Sequence, residues 1–355
     1  MQDNNLPLIF LLWPMGLFII GFSTIGLLNT INGRIIVHDD RIQVIKTFSD
    51  RELYFDEIKG FKVTINNIII ESATSDKKSL KFYSSIKNLS ELVDLLTRYY
   101  PNLDDLKIEA DTQQILSNEQ YGHTLEARAA KFRSAQKKAK ILNWTGGLAG
   151  VWTFFYPIPY EFAILTSIAI PVLTLINLKF SSGLFRIDEN NESVHPSLSW
   201  AIFAPSFALG LRALLDFKIY DFNNAGLFTS ILAVALLNII FLRNREFNFK
   251  KAKDYLAASS ILIAVVCYSY GAIITLNCYY DKSDSKIYKA TIVNKRISTG
   301  KNISYYLELT KWGTQDKNEE VSVKQEFYNQ FENGDQVTIY FQNGWFNIPW
   351  FFVSD

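Results

Sequence analysis

The chain has 355 residues, of which 48% are hydrophobic and 20% charged, and its formal net charge is +1 at pH 7. A charge so close to zero excludes the basic footprint that a nucleic-acid partner requires. The two cysteines, Cys267 and Cys278, fall in or at the end of the last apolar run, which excludes a disulfide framework or a zinc site and leaves them as apolar fillers.

The apolar residues come in blocks. Segments 7–28, 142–156, 161–178, 197–215, 224–242 and 255–277 are nearly free of charge. Most approach the roughly 20 residues that a helix needs to cross about 30 Å of hydrocarbon. Between lipid tails every backbone amide needs a partner within the structure, so runs rich in Leu, Ile and Phe are expected as helices. Six transmembrane helices are expected, one at 7–28 and five in a membrane domain at 142–277. Residues 1–6 carry no Lys or Arg and include Asp3, and no small-residue cleavage site follows the first run, so it reads as a retained helix.

From Gly33 the pattern changes to GRIIVHDDRIQVIKTF, ELYFDEIKGFKVTINNIIIES and SLKFYSS, in which β-branched and aromatic residues alternate with polar ones between turns. Ile86, Leu89, Leu92, Val93 and Leu96 then recur at helical spacing until Pro101. Strands closed by one amphipathic helix predict an α+β module. The phrases IIVHDDRIQV, RELYFDEIKGF and SSIKNLSELVDLL resemble the small pleckstrin-homology-like (PH-like) domains that bacteria place beside membrane helices, over residues 33–101. That resemblance implies a sandwich or barrel capped by the helix and no particular ligand. Arg41, Lys46, Arg51, Lys59 and Lys62 are interspersed with Asp39, Asp40, Asp50, Asp56 and Glu57, a mixture unlike the like-charge clusters that hold anionic lipid.

Residues 104–140 read as a helical connector, acidic at first and basic at the end. Arg128, Lys131, Arg133, Lys137, Lys138 and Lys140 are candidate contacts to anionic lipid, at about 1 kcal/mol per basic residue near the surface. Any cytoplasmic helix entry has the same composition.

In the membrane domain the candidate site is one polar pair, Arg212 and Asp216, four residues apart and so on one helix face. Glu161 and Asp221 are expected at the same membrane face. The pair reads either as a solute site or as an interfacial salt bridge with a snorkelling arginine. Asn177, Asn238 and Asn277 are candidate interhelical hydrogen-bond partners, and the glycines of TGGLAG at 145–150 offer a small-residue packing face. Pro157, Pro159 and Glu161 interrupt 142–178, which leaves two crossings or a re-entrant hairpin there.

The tail alternates again, in KIYKATIVNKRI, ISYYLELTKW, EEVSVKQ, GDQVTIYF and WFNIPWFFV, with a helical turn near 326–332. Five strands predict a small β barrel or sandwich at 284–355. GKNISYYLEL, EVSVKQEFYNQFENGDQV and GWFNIPW resemble a small β domain of unknown function found as the outer tail of multi-pass bacterial membrane proteins, and the resemblance brings no activity with it. Its many aromatics are shared between a core and an exposed surface for a protein partner or the membrane.

Basic residues fall on alternating loops: the six before 142, then Lys179 and Arg186, then Arg243, Arg245, Lys250, Lys251 and Lys253. Residues 157–161 have none, and 216–224 have only Lys218. By the positive-inside rule the module at 33–101 faces the cytoplasm and both termini lie outside it, in a bacterial inner membrane. His38, His123 and His195 stand alone, and no metalloprotease, hydrolase, phosphate-loop or CxxC motif occurs. No catalytic residue, cofactor or metal is expected. The expected function is non-enzymatic, a scaffold or sensor joining the two modules, with a small-solute transporter using Arg212 and Asp216 as the alternative.

Overall fold

The computed structural model describes residues 33–355 except 65–66, 85, 87, 189–192, 243–246, 248, 250–251, 300–302, 316 and 355, together with Thr24, Leu27, Leu28 and Ile31. The helix expected at 7–28 falls almost wholly outside the described residues. The chain forms two compact units, one of residues 1–118 and 191–194, the other of 119–190 and 195–355.

In the first unit, β1 (Arg34–Val37), β2 (Arg41–Lys46) and β3 (Ser49–Tyr54) form an antiparallel meander. A second antiparallel sheet is built from β4 (Ile58–Val63), β5 (Asn67–Ser72) and β6 (Leu80–Tyr83). Alternation decides which side chains go inside, since successive strand residues face opposite ways. Ile42, Val44, Ile68, Ile70, Leu80 and Phe82 point into one core, which α1 (Leu89–Tyr99) joins through Leu92 and Leu96. Each fully buried aliphatic is worth about 1.5–3 kcal/mol against leaving it exposed. Helix α2 (Leu103–Ser117) starts where the Asn102 side chain accepts the Asp104 N–H at 3.0 Å. The expected connector at 104–140 is therefore two helices, interrupted between Asn118 and Thr124.

The second unit opens with five helices, α3 (Leu125–Phe155), α4 (Tyr160–Phe180), α5 (Ser199–Asp216), α6 (Phe222–Phe241) and α7 (Ala252–Tyr279). Among the described residues three helices are long and apolar enough to cross a membrane: α4, α6 and α7. Of the six expected, the run at 7–28 lies almost wholly outside these residues, and of the five at 142–277 those three meet this description. The runs at 142–156 and 197–215 do form helices, but α3 is charged through Lys140 and α5 has 18 residues with Arg212 and Asp216 near its end. The turn at 156–159 separates two long helices, α3 and α4.

Helix α5 is the centre of the bundle, with Ala201, Ile202, Leu209 and Ala213 buried. Glycine permits its close contacts. A Cβ at Gly150 would lie 2.8 Å from the Ala204 backbone, one at Gly146 would reach the Ala201 backbone, and one at Gly271 would stand 2.6 Å from Gly210 N. Small residues of this kind let helix backbones touch and replace hydrophobic driving force with packing. The helices alternate in direction. Asn143 of α3 bonds Ser197 and Ala201, and Lys179 bonds the Leu242 carbonyl, at one end; Thr153 with Arg212 and Tyr160 with Asp216 mark the other.

The rest of the second unit is a six-stranded antiparallel sheet that curls into a half-barrel, in the order β10 (Glu319–Val323), β9 (Ile303–Leu309), β8 (Lys286–Thr299), β11 (Gln336–Gln342), β12 (Trp350–Ser354) and β7 (Lys218–Ile219). Five strands come from the tail, as expected, and the short α8 (Gln325–Gln330) lies near the expected helical turn. The sixth, β7, comes from the turn between α5 and α6, pairing Trp350 with Ile219 and Phe351 with Lys218. The curl brings the two edge strands within reach, and the Lys218 ammonium donates to the Ser322 carbonyl across the seam.

Candidate functional site

A cluster of polar residues of the second unit lies at the sheet end of the bundle. Arg212 Nη1 and Asp216 Oδ1 are 3.2 Å apart, as their spacing on one helix face requires. Each also has a second partner. Arg212 Nε donates to the Thr153 carbonyl at 3.0 Å, and Asp216 Oδ2 accepts the Tyr160 hydroxyl at 3.0 Å. The Tyr160 ring stacks on Tyr279 and meets Phe217 edge-on. Of the two carboxylates expected nearby, Glu161 accepts the Tyr280 hydroxyl at 2.9 Å, one residue along from each member of the Tyr160–Tyr279 stack. Asp221 goes elsewhere, capping α6 by accepting the Asn223 N–H at 2.9 Å.

Beside this pair the end of α7 grips the chain at 343–350. Asn277 is wholly buried; its Oδ1 accepts the Phe346 N–H at 2.9 Å and its Nδ2 donates to the Ile348 carbonyl at 2.9 Å. The Asn277 carbonyl accepts the Trp345 N–H at 3.0 Å. Asp281 Oδ2 accepts from Gly344 N at 2.8 Å and Trp350 Nε1 at 2.9 Å, and its Oδ1 accepts from Ser283 N at 2.8 Å. Partial burial works against the Asp281 charge, but the donors from Ser283, Trp350 and Gly344 outweigh it and hold the carboxyl below its usual range. Gly344 is required here: its φ is +79°, and a Cβ would collide with the Ile348 carbonyl and the Asn277 amide. Asn224 Nδ2 adds a bond to the Asn347 carbonyl at 2.8 Å, and Tyr220 N donates to the Pro349 carbonyl at 2.8 Å. Residues 347–350, the NIPW of the tail, are thus held by α7, by the α5–α6 turn and by α6.

A line of contacts joins the two clusters. Asp216 touches Tyr160, Tyr160 touches Phe217, and Phe217 meets the Trp350 ring edge-on at 5.8 Å. Trp350 in turn bonds Asp281. Such an arrangement positions and immobilises, since every charge named in it has a partner. Among the described residues no group of three or more His, Cys, Asp or Glu stands together as a metal site.

The candidate lipid contacts lie on α3, at the opposite end of the bundle. Lys131, Arg133, Lys137, Lys138 and Lys140 are exposed and Arg128 is half-buried. Lys131 Nζ sits 5.5 Å over the Tyr121 ring. At 100° per residue, Arg133, Lys137 and Lys140 share a face with the exposed Ile141, Trp144, Leu148, Val151 and Phe155, so one face passes from cationic to aromatic to apolar. Arg243, Arg245, Lys250 and Lys251 lie outside the described residues. Asn177 and Asn238 bond carbonyls of their own helices, at Leu173 and Val234, and are not interhelical partners.

Sequence reasoning passed over Asn143 and Asp281 and underrated Asn277. The signal for both asparagines is a side-chain amide alone in an apolar stretch, Leu142-Asn143-Trp144 and Leu276-Asn277-Cys278, where an unpaired amide would be costly. Nothing in the sequence pattern marked Tyr160 or β7. Comparison with family models, with curated proteins and with solved structures finds no match for this chain.

Proposed function

We propose that the protein is a non-enzymatic integral membrane scaffold or sensor, in which the helix bundle fixes an outer β domain rigidly against one membrane face. The observation that carries this reading is the grip of Asn277 and Asp281 on residues 343–350, reinforced by β7 entering the sheet. A freely tethered domain needs only a linker. Here the domain borrows a strand from the bundle and plugs its NIPW segment into the helix ends.

The basic end of the bundle supports a cytoplasmic placement for that end by the positive-inside rule, with the sheet on the outer face of a bacterial inner membrane. The three apolar helices carry the crossing, and the graded face of α3 supports its lying against lipid beside them. The module at 33–101, with its PH-like resemblance, then stands on the cytoplasmic side as a second recognition surface. The transporter alternative asks the Arg212–Asp216 pair to bind solute, yet both groups are already engaged by Thr153 and Tyr160.

Affinity capture of the intact protein from mild detergent tests the reading. It expects a partner held through the β domain or the module at 33–101; repeated recovery of none, with neither module binding lipid, would empty it of content. For the transporter, Arg212→Ala would abolish uptake of a solute at unchanged protein level, and an unaltered uptake profile would end it.

A further inference from the structure

The six cations of α3 named from the sequence divide into two sets. At 100° per residue, Arg133, Lys137 and Lys140 fall in a stripe about 100° wide that continues through Trp144, Leu148, Val151 and Phe155. Arg128, Lys131 and Lys138 lie outside it. Every member of the stripe is exposed, Trp144 by 65% and Phe155 by 73% of its surface. Arg133, Lys137 and Lys140 form no ion pair, whereas Lys131 already donates to the Gln120 carbonyl at 3.4 Å and sits over the Tyr121 ring. The single carboxylate of α3, Glu126, stands seven residues before Arg133 and so about 10 Å farther from the apolar part. Like charges three and four residues apart repel one another, and an anion between them relieves that repulsion.

We propose that this stripe binds an anionic phospholipid, with the phosphate among Arg133, Lys137 and Lys140 and an acyl chain along Trp144, Leu148 and Val151. The charge pattern selects the class. Three cations with no carboxylate among them complement a head that is negative overall, and they leave the amine of a zwitterionic head without a partner. The spacing selects a lipid over a soluble anion. From Trp144 to Phe155 the helix rises about 16 Å, the depth of the hydrocarbon of one leaflet. Trp144 stands at the border, where indole rings settle, and the stems of Lys137 and Lys140 can lie along apolar surface while their ammonium groups reach the head-group level. An acidic protein would engage the cations and leave the apolar stretch bare, whereas a phospholipid covers both in the order in which they occur. The assignment rests on the proposal that the bundle is embedded in a membrane, and it adds the class of lipid and the residues that choose it.

The test is native mass spectrometry of the full-length protein released from nanodiscs of equal phosphatidylglycerol and phosphatidylcholine with the same acyl chains. The expected result is phosphatidylglycerol retained on the wild type after the phosphatidylcholine has been stripped. Lys137→Gln combined with Lys140→Gln should lower that retention at least about tenfold. Lys131→Gln combined with Lys138→Gln removes the same charge from outside the stripe and should lower it less than about twofold. All four lysines are exposed, so neither pair disturbs the packing of the bundle. Equal losses from the two pairs, or equal retention of the two lipids on the wild type, would overturn the assignment while leaving the membrane reading intact. Displacement of the lipid by inorganic phosphate alone would also overturn it, because the apolar part of the stripe would then take no part. Recovery of the full chain in the soluble fraction would overturn both readings.

Discussion

Asn143 and Asn277 perform the same task at opposite ends of the bundle. Asn143 accepts the Ala201 N–H at 3.0 Å and donates to the Ser197 carbonyl at 2.7 Å, satisfying the backbone where α5 begins. Asn277 does so for a segment from the far end of the chain. Removing a partner leaves buried backbone groups without water or protein to replace it, at about 1–3 kcal/mol each. Asn277→Ala should therefore cost about 3 kcal/mol, seen as a lower unfolding temperature in detergent and faster protease release of the β domain. Gly344→Ala should cost at least about 2 kcal/mol by the same measurements, because the left-handed backbone and the crowding by Ile348 both oppose a Cβ. Lys218 gives a pH test. Burial pushes its amine down to about 8, with Glu319 opposing. Between about pH 8 and about pH 10.5 the unfolded chain holds a proton that the folded one has released, so this residue's contribution to stability rises with pH through that window. The wild type should gain stability from pH 8 to pH 10 relative to Lys218→Met, measured by thermal melts of the two proteins in parallel; equal slopes would show that the amine is not buried. The polar pair Arg212–Asp216 was legible from its spacing alone. Its partners were not, because Thr153 contributes a backbone carbonyl and Tyr160 lies on another helix, and neither leaves a trace in local sequence.

At the scale of elements, the glycines of TGGLAG divide sharply. Gly146 and Gly150 face α5, whereas a Cβ at Gly147 would meet nothing within 4 Å. Gly146→Val should separate α3 from α5 and lower the yield of folded protein, whereas Gly147→Ala should be neutral or stabilising by up to about 1 kcal/mol. Size-exclusion profiles and melts in detergent separate the two outcomes. Sequence marked this run as a packing face without saying which glycines faced inward; helical phase decides it, since Gly146 and Gly150 are four apart and Gly147 lies off that row. The five helices from 125 to 279 were likewise legible from their apolar blocks, but among the described residues α4, α6 and α7 are the ones apolar enough along their length to cross, because block length alone overlooks the charges that α3 and α5 carry. Helix α5 can carry Ser206, Arg212 and Asp216 because Ser206 donates to the Ile202 carbonyl of its own helix, and Arg212 and Asp216 pair with each other and with Thr153 and Tyr160. β7 escaped because two residues, Lys218 and Ile219, are too few to show an alternating pattern. It is a strand only because β12 arrives beside it.

For the molecule as a whole, the account joins two chemically different ends. One end of the bundle bears Arg133, Lys137, Lys140 and Lys253; the other bears a β domain fixed by Asn277, Asp281 and a borrowed strand. The rigidity has a consequence for cooperativity. The β domain and the bundle should unfold in one transition in lipid nanodiscs, and Asn277→Ala should split it into two, since the clamp supplies much of the free energy that couples them. Meander patterning and strand count in the tail were readable because alternation is a local property, while the attachment of that tail depends on residues distant in sequence.

Sidedness is the most direct test of the central claim. A reporter active only outside the cytoplasm, fused after Asp355 and separately inserted near Asp76, should respond at Asp355 and stay silent at Asp76. The same response at both positions would put the two modules on one side of the membrane and contradict a bundle that connects its two faces.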